Sequence, residues 1–217
     1  MTQYLDYINI EIIGSDKPWL EDFVTDSITL NESQLTIPRP DLAATRADIK
    51  LNDILIKSIN YPIHSTKTLT NRGSSYTSVT TSVNNSITTY TFKNNGNYYG
   101  YCVYRYTFTC SQPTTAKITY SQYNYSTYNC GYISNLDKTF TVGYGTESSS
   151  NCLFYGSNSS STTTPQTTKT ITIPVGTHTI DFKWRGYYPY TSYYFTFAVD
   201  FPESQGASVT VDLLDIE

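Results

Sequence analysis

The chain has 217 residues, a net charge of −4 and only 15% charged residues, with a sequence pI near 5.1. Its Lys and Arg form no stripe, so the phosphate-neutralising term that dominates nucleic-acid affinity is missing and nucleic acid is excluded as an expected partner. No stretch approaches the roughly 20 apolar residues that span a bilayer, and the opening MTQYLDYINIEIIGSDKP has neither a basic nor an apolar signal region, so folding in a cytosol without membrane contact is expected.

Tyrosine dominates what remains: 22 residues, 19 of them between Tyr76 and Tyr194 in a background of Ser, Thr and Asn. Such a composition is poor in helix formers and rich in β-formers that are apolar in body and polar at the tip. It predicts strands carrying adhesive loops. Charge is distributed unevenly, with fifteen charged residues in residues 1–60 and eleven in the twice longer stretch 76–200. A boundary is therefore expected near residues 60–75. The predicted organisation is an N-terminal attachment arm or small β-domain over 1–64, a linker over 65–85 and a Tyr-rich β-sandwich over 86–217.

In chain order, Ile8, Ile10 and Ile12 alternate as a strand, and Ile28 and Leu30 suggest another. Between them PWLEDFV, with Trp19, Leu20, Phe23 and Val24 near helical spacing, predicts one helical turn. Pro38 and Pro40 open a segment holding either a short helix over residues 41–48 or an extended arm. The Asn52-Asp53 turn between Ile49, Leu51 and Ile54, Ile56 predicts a hairpin. Residues 65–85, low in large apolar groups and rich in Ser and Thr, read as the linker.

Period-two alternation strengthens beyond it. Cys102, Tyr104, Tyr106, Phe108 and Cys110 share one face, taken as the inner one, with Val103 and Arg105 opposite. Ala116, Ile118 and Tyr120 continue the pattern. In THTIDFKWR, His178, Ile180, Phe182 and Trp184 point inward, while Thr179, Asp181, Lys183 and Arg185 form a face expected to be solvated. Tyr193, Phe195, Phe197, Val199 and Phe201 line a further strand. Pro174 and Gly176 supply a reversal, and ASVTVDLLDIE offers a last strand. At least seven strands with no helical pattern predict an all-β fold, an antiparallel β-sandwich in jelly-roll-like style. Two readings stand for the low-complexity runs 148–150 and 157–164, disorder or order imposed by packing.

Cys102, Cys110, Cys130 and Cys152 are expected as free thiols in a reducing compartment, against two disulfides in a secreted one. Cys102 and Cys110, eight residues apart on one strand, are roughly 26 Å apart and cannot bridge each other. With no Cys-x-x-Cys pair and only His64 and His178, no metal site is expected, and no cofactor motif occurs.

Two segments resemble β-sandwich (jelly-roll-like) modules in virion proteins of tailed bacteriophages of gut bacteria and in adhesin-like proteins of their hosts. One is a Tyr-x-x-Gly-x-Ile-Ser stretch followed by Asp, here Tyr128, Gly131, Ile133, Ser134 and Asp137. The other is Pro-x-Gly-x-His-x-Ile-Asp, here Pro174, Gly176, His178, Ile180 and Asp181. The resemblance covers roughly residues 107–201 and implies a non-enzymatic module of fibre, spike or decoration type.

Catalysis finds little support in the residues: the sandwich region offers Asp137, Glu147, Asp181 and Asp200 as its acids. Asp181 between Thr179 and Lys183 reads as a cross-strand salt bridge, and His178 as a hydrogen-bonded core or edge histidine. Tyr123, Tyr125 and Tyr128 in one loop, and Tyr187, Tyr188 and Tyr190 in another, are the candidate contacts for a glycan or a partner protein. The competing reading buries these rings at the sandwich ends or in a subunit interface. The expectation is thus a structural virion protein, made in the bacterial host cytoplasm and residing in the virion. It would be attached to capsid, collar or tail protein, oligomeric within the particle, and free to meet a host-surface glycan. The alternative is a bacterial carbohydrate-binding or adhesin module.

Overall fold

A computed structural model describes residues 8–15, 29–31, 34–95, 99–124, 128–156, 162–187, 192–204 and 208–212. The chain divides into two units: Met1–Thr66, Cys110–Gln112 and Glu203–Glu217 form one, Lys67–Thr109 and Pro113–Pro202 the other.

The first unit contains β1 (Ile8–Ile13), β2 (Thr29–Asn31), β3 (Gln34–Pro38), β4 (Arg46–Leu51), β5 (Ile54–Asn60) and the last strand, β16 (Ser208–Asp212). They form two three-stranded sheets, β1-β4-β5 and β16-β3-β2. The alternating residues Ile10 and Ile12 of β1, Ala47 and Ile49 of β4, Leu35 and Ile37 of β3 and Val209 of β16 supply one buried cluster, joined by Tyr61. Asn52 and Asp53 turn β4 into β5 with φ of 47° and 65°, a left-handed pair that Asn and Asp tolerate and that suits the twist of a two-residue hairpin. Of the two readings for residues 41–48, the helix is not found: residues 41–45 make a turn and Arg46 begins β4. Asp41 Oδ1 accepts the Ala44 amide at 2.9 Å, closing a tight turn that releases the chain into β4. The expected helical turn at residues 18–24 lies outside the described residues.

The second unit comprises β6 (Ser65–Ser75), β7 (Thr77–Asn84), β8 (Ile87–Asn94), β9 (Gly100–Cys110), β10 (Thr114–Asn124), β11 (Cys130–Ser134), β12 (Cys152–Tyr155), β13 (Thr162–Ile173), β14 (Gly176–Gly186) and β15 (Tyr194–Asp200). Two five-stranded sheets result, ordered β13-β10-β15-β8-β7 and β12-β11-β14-β9-β6. Without their terminal strands β7 and β6, these are two four-stranded sheets among which the chain alternates as in two Greek keys, the connectivity of a jelly roll. The fold is an all-β antiparallel sandwich. Its interior is aromatic: Phe182 stacks on Phe197 with centroids 4.1 Å apart, and Phe92 meets Phe197 edge-on at 5.1 Å. Gly131 of β11 lets Phe195 of the facing sheet come so close that a Cβ there would lie 2.3 Å from its ring. Beside it, the buried Gln122 of β10 crosses between sheets, accepting the Gly131 amide at 2.9 Å and donating to the Gly156 carbonyl at 2.8 Å.

Two expected boundaries are corrected. Residues 65–85 are no linker: they hold β6 and β7, the outermost strand of each sheet. A strand flanked on one side only has less to bury, so β-branched Thr among Ser serves it well, and Asn85 and Ser86, with φ of 48° and 65°, turn β7 into β8. Likewise the tail is no part of the sandwich. β16 pairs antiparallel with β3, Val209 opposite Ile37. Thr162–Thr164, in the second low-complexity run, begin β13, and Ser149–Asn151 make a short 3-10 turn; residues 157–161 lie outside the described residues.

Candidate functional site

One face of β14 differs from its prediction and leads to the site. Inward, Ile180, Phe182 and Trp184 are fully buried as their phase requires. Outward, Asp181 and Lys183 are equally inaccessible and Arg185 is 7% exposed, where a solvated face was expected. The cause is the long β11–β12 connection, residues 135–151, whose first part folds back along β14 as a strap. Phe140 anchors it on the outer side of the sheet, packed with Val103, Cys130 and Tyr132.

Each polar group on that face of β14 is tied to the strap in turn. Asp137 takes the Thr179 amide at 2.8 Å, its other oxygen lies 2.7 Å from His178 Nδ1, and its own amide donates to the Thr179 carbonyl at 2.8 Å. Asp181 accepts the Phe140 amide at 2.8 Å and is flanked by two guanidinium groups, Arg105 Nε and Arg72 Nη1, each at 2.7 Å. Lys183 donates to the Thr141 carbonyl at 2.9 Å and to Glu147. A buried charge without such partners would cost several kcal/mol, so the strap supplies what makes this row of charges tolerable.

Desolvation lowers the Lys183 pKa, with Glu147 opposing it. The hydrogen bond that His178 donates to Asp137 raises the His178 pKa. Asp137 in turn is lowered: burial pushes its carboxyl up, but His178 and the Thr179 amide outweigh it. Burial pushes the thiols of Cys102 and Cys152 up to about 12 and that of Cys130 to about 11. All four cysteines are free. Among the described residues no group of His, Cys, Asp and Glu could hold a metal ion.

The strap ends at a tyrosine cluster. Three neighbouring strands bring their ends together there: β9 begins after Tyr99, β14 ends before Tyr187 and β11 begins two residues past Tyr128. Tyr144 arrives from the strap. Ring centroids lie 4.8 Å apart for Tyr99 and Tyr144, 5.0 Å for Tyr99 and Tyr187 and 5.2 Å for Tyr128 and Tyr187. Arg185 places its guanidinium 4.2 Å from the Tyr144 ring centre, within cation–π range. The Tyr187 amide donates to Asn129 Oδ1 at 2.8 Å, which pins the end of β14. Tyr99 and Tyr128 remain 52% and 49% exposed, so the cluster offers a broad amphipathic surface.

Of the six tyrosines singled out in the sequence, the structure brings Tyr128 and Tyr187 together. Tyr123 goes elsewhere, packing 4.9 Å from Tyr193 and 6.4 Å from Tyr194 at the other sheet. Tyr125, Tyr188 and Tyr190 lie outside the described residues. Tyr99, Tyr144 and Arg185 were not selected by sequence reading; Tyr99 alone carried a usable signal, standing just before a strongly alternating strand. The two segments that carry the virion-module resemblance prove to be spatial neighbours. β11 pairs with β14, Ile133 opposite Phe182, the Asp181 amide donates to Ser134 Oγ at 2.8 Å, and Asp137 meets His178. Comparison with known protein families, with curated proteins and with solved structures finds no match.

Proposed function

We propose that this chain is a structural virion protein of a tailed bacteriophage. In this reading the smaller unit, with its two three-stranded sheets, attaches to capsid, collar or tail, and the jelly roll serves for decoration or for adsorption to the host surface. The observation that carries the proposal is the half-exposed tyrosine cluster at one end of a jelly roll. Tyr gives large contact area at little cost in rotamer freedom, as an adhesive surface needs. Asp181, the most buried acid, is engaged by two arginines and a main-chain amide, which favours a structural role for it over general-base chemistry. The proposed work is binding without cofactor, metal, membrane or nucleic acid, and without bond cleavage. Copies clustered by particle symmetry would add weak contacts by avidity.

Mass spectrometry of density-purified particles encoded with this gene tests the assignment. Peptides from this chain at a copy number comparable with known structural proteins are expected. Their absence from intact particles, with the chain found in the lysate, rejects it. A second reading, a bacterial carbohydrate-binding or adhesin module, is favoured by the same tyrosines and predicts the protein on the cell surface instead.

A further inference from the structure

We propose that the Tyr99, Tyr128, Tyr144 and Tyr187 cluster binds an acidic saccharide, the sugar ring lying on the exposed tyrosines and its carboxylate meeting Arg185. The inference rests on reading this end of the jelly roll as an adhesive surface and adds the ligand's chemistry.

Most cations of the strap-covered face have an anionic partner. Arg72 and Arg105 share Asp181, and Lys183 has Glu147. Arg185 has no such partner: among the described residues no carboxylate bridges it, although it is 7% exposed. Among the described residues its Nε is buried without a hydrogen bond, and its close contact is the neutral Tyr144, which raises its pKa against desolvation. Buried arginines ordinarily meet an anion, because desolvation of the guanidinium is otherwise left unanswered.

The charge left without a counter-ion here is that of Arg185, so the complement is an anion. A carboxylate matches the guanidinium fork, and a pyranose ring bearing it presents C–H faces to flat aromatic surfaces and hydroxyls to the tyrosine tips. A small carboxylate alone would leave Tyr99 and Tyr128 unused.

Isothermal titration of the full chain with 3′-sialyllactose, a glucuronate oligosaccharide and lactose tests this. At least one acidic probe is expected to bind about tenfold or more tighter than lactose, the margin that a charge-assisted hydrogen bond supplies. Arg185→Gln should abolish that margin, and Tyr128→Ala should weaken binding of both classes. Tyr128 is half exposed, so its variant remains informative if Arg185→Gln does not fold. Equal binding of acidic and neutral probes, or acidic binding that survives Tyr128→Ala unchanged, overturns the proposal while leaving an adhesive surface standing. No binding of any probe overturns the proposal and glycan adsorption together, and leaves the particle assignment to its own test.

Discussion

Arg105 and Asp181 stand on neighbouring strands, with the guanidinium Nε 2.7 Å from one carboxylate oxygen and Nη2 3.1 Å from the other. The second oxygen also receives Arg72 and the Phe140 amide. One side chain thus joins two strands of the sheet to the strap that covers them. Replacing Asp181 by Asn keeps the volume but leaves two arginines facing a neutral amide. Losing one member of a buried charge cluster costs about 3–5 kcal/mol, and the urea midpoint should fall accordingly. Hydrogen exchange should locate the damage first at Phe140, whose amide is left with a weaker, neutral acceptor.

Gly131→Ala should destabilise the jelly roll by about 1–3 kcal/mol through overpacking, because the new methyl would meet the Phe195 ring in a filled interior. Gly145→Ala serves as its control. Nothing lies within 4 Å of a Cβ there, so the denaturation midpoint should stay unchanged.

The Asp137–His178 pair gives the strap a pH dependence of definite sign. His178 is raised in the folded chain above its ordinary 6.5, so its contribution is complete below 6.5 and is lost as pH rises through the higher folded value. Asp137 is lowered from its ordinary 3.8, so its contribution is present above 3.8 and is lost as pH falls through the lower folded value. The tether is therefore strongest between those two ordinary values. Asp137 is half exposed, and solvent screening limits the effect to under about 1 kcal/mol. Denaturation midpoints at pH 5 and pH 8.5 should differ more for the native chain than for His178→Gln.

Burial makes the thiolates of Cys102, Cys130 and Cys152 inaccessible at neutral pH, and thiol reactivity follows the thiolate fraction. An aromatic disulfide reagent at pH 8 should label these three slowly in the folded protein. In denaturant all four cysteines should react promptly.

Alternation of apolar and polar residues was enough, read from the sequence, to place β9, β10, β14 and β15 and to give the inward phase of Phe182, Trp184, Phe195 and Phe197. The Asn52-Asp53 turn was equally legible, because left-handed backbone restricts which residues can occupy it. Period two, however, reports only that two faces differ. It does not tell whether the polar face meets water or another stretch of chain, and so Asp181, Lys183 and Arg185 read as solvated although residues 135–148 cover them. Composition misled in the same manner at residues 65–85, since Ser and Thr suit both a loop and a strand at a sheet margin. Tertiary structure alone decided that β16 returns to β3 and that Tyr99, Tyr128, Tyr144 and Tyr187 meet. Those residues are distant in sequence, and what gathers them is the order of strands in a sheet, a property set by long-range pairing that no local pattern contains.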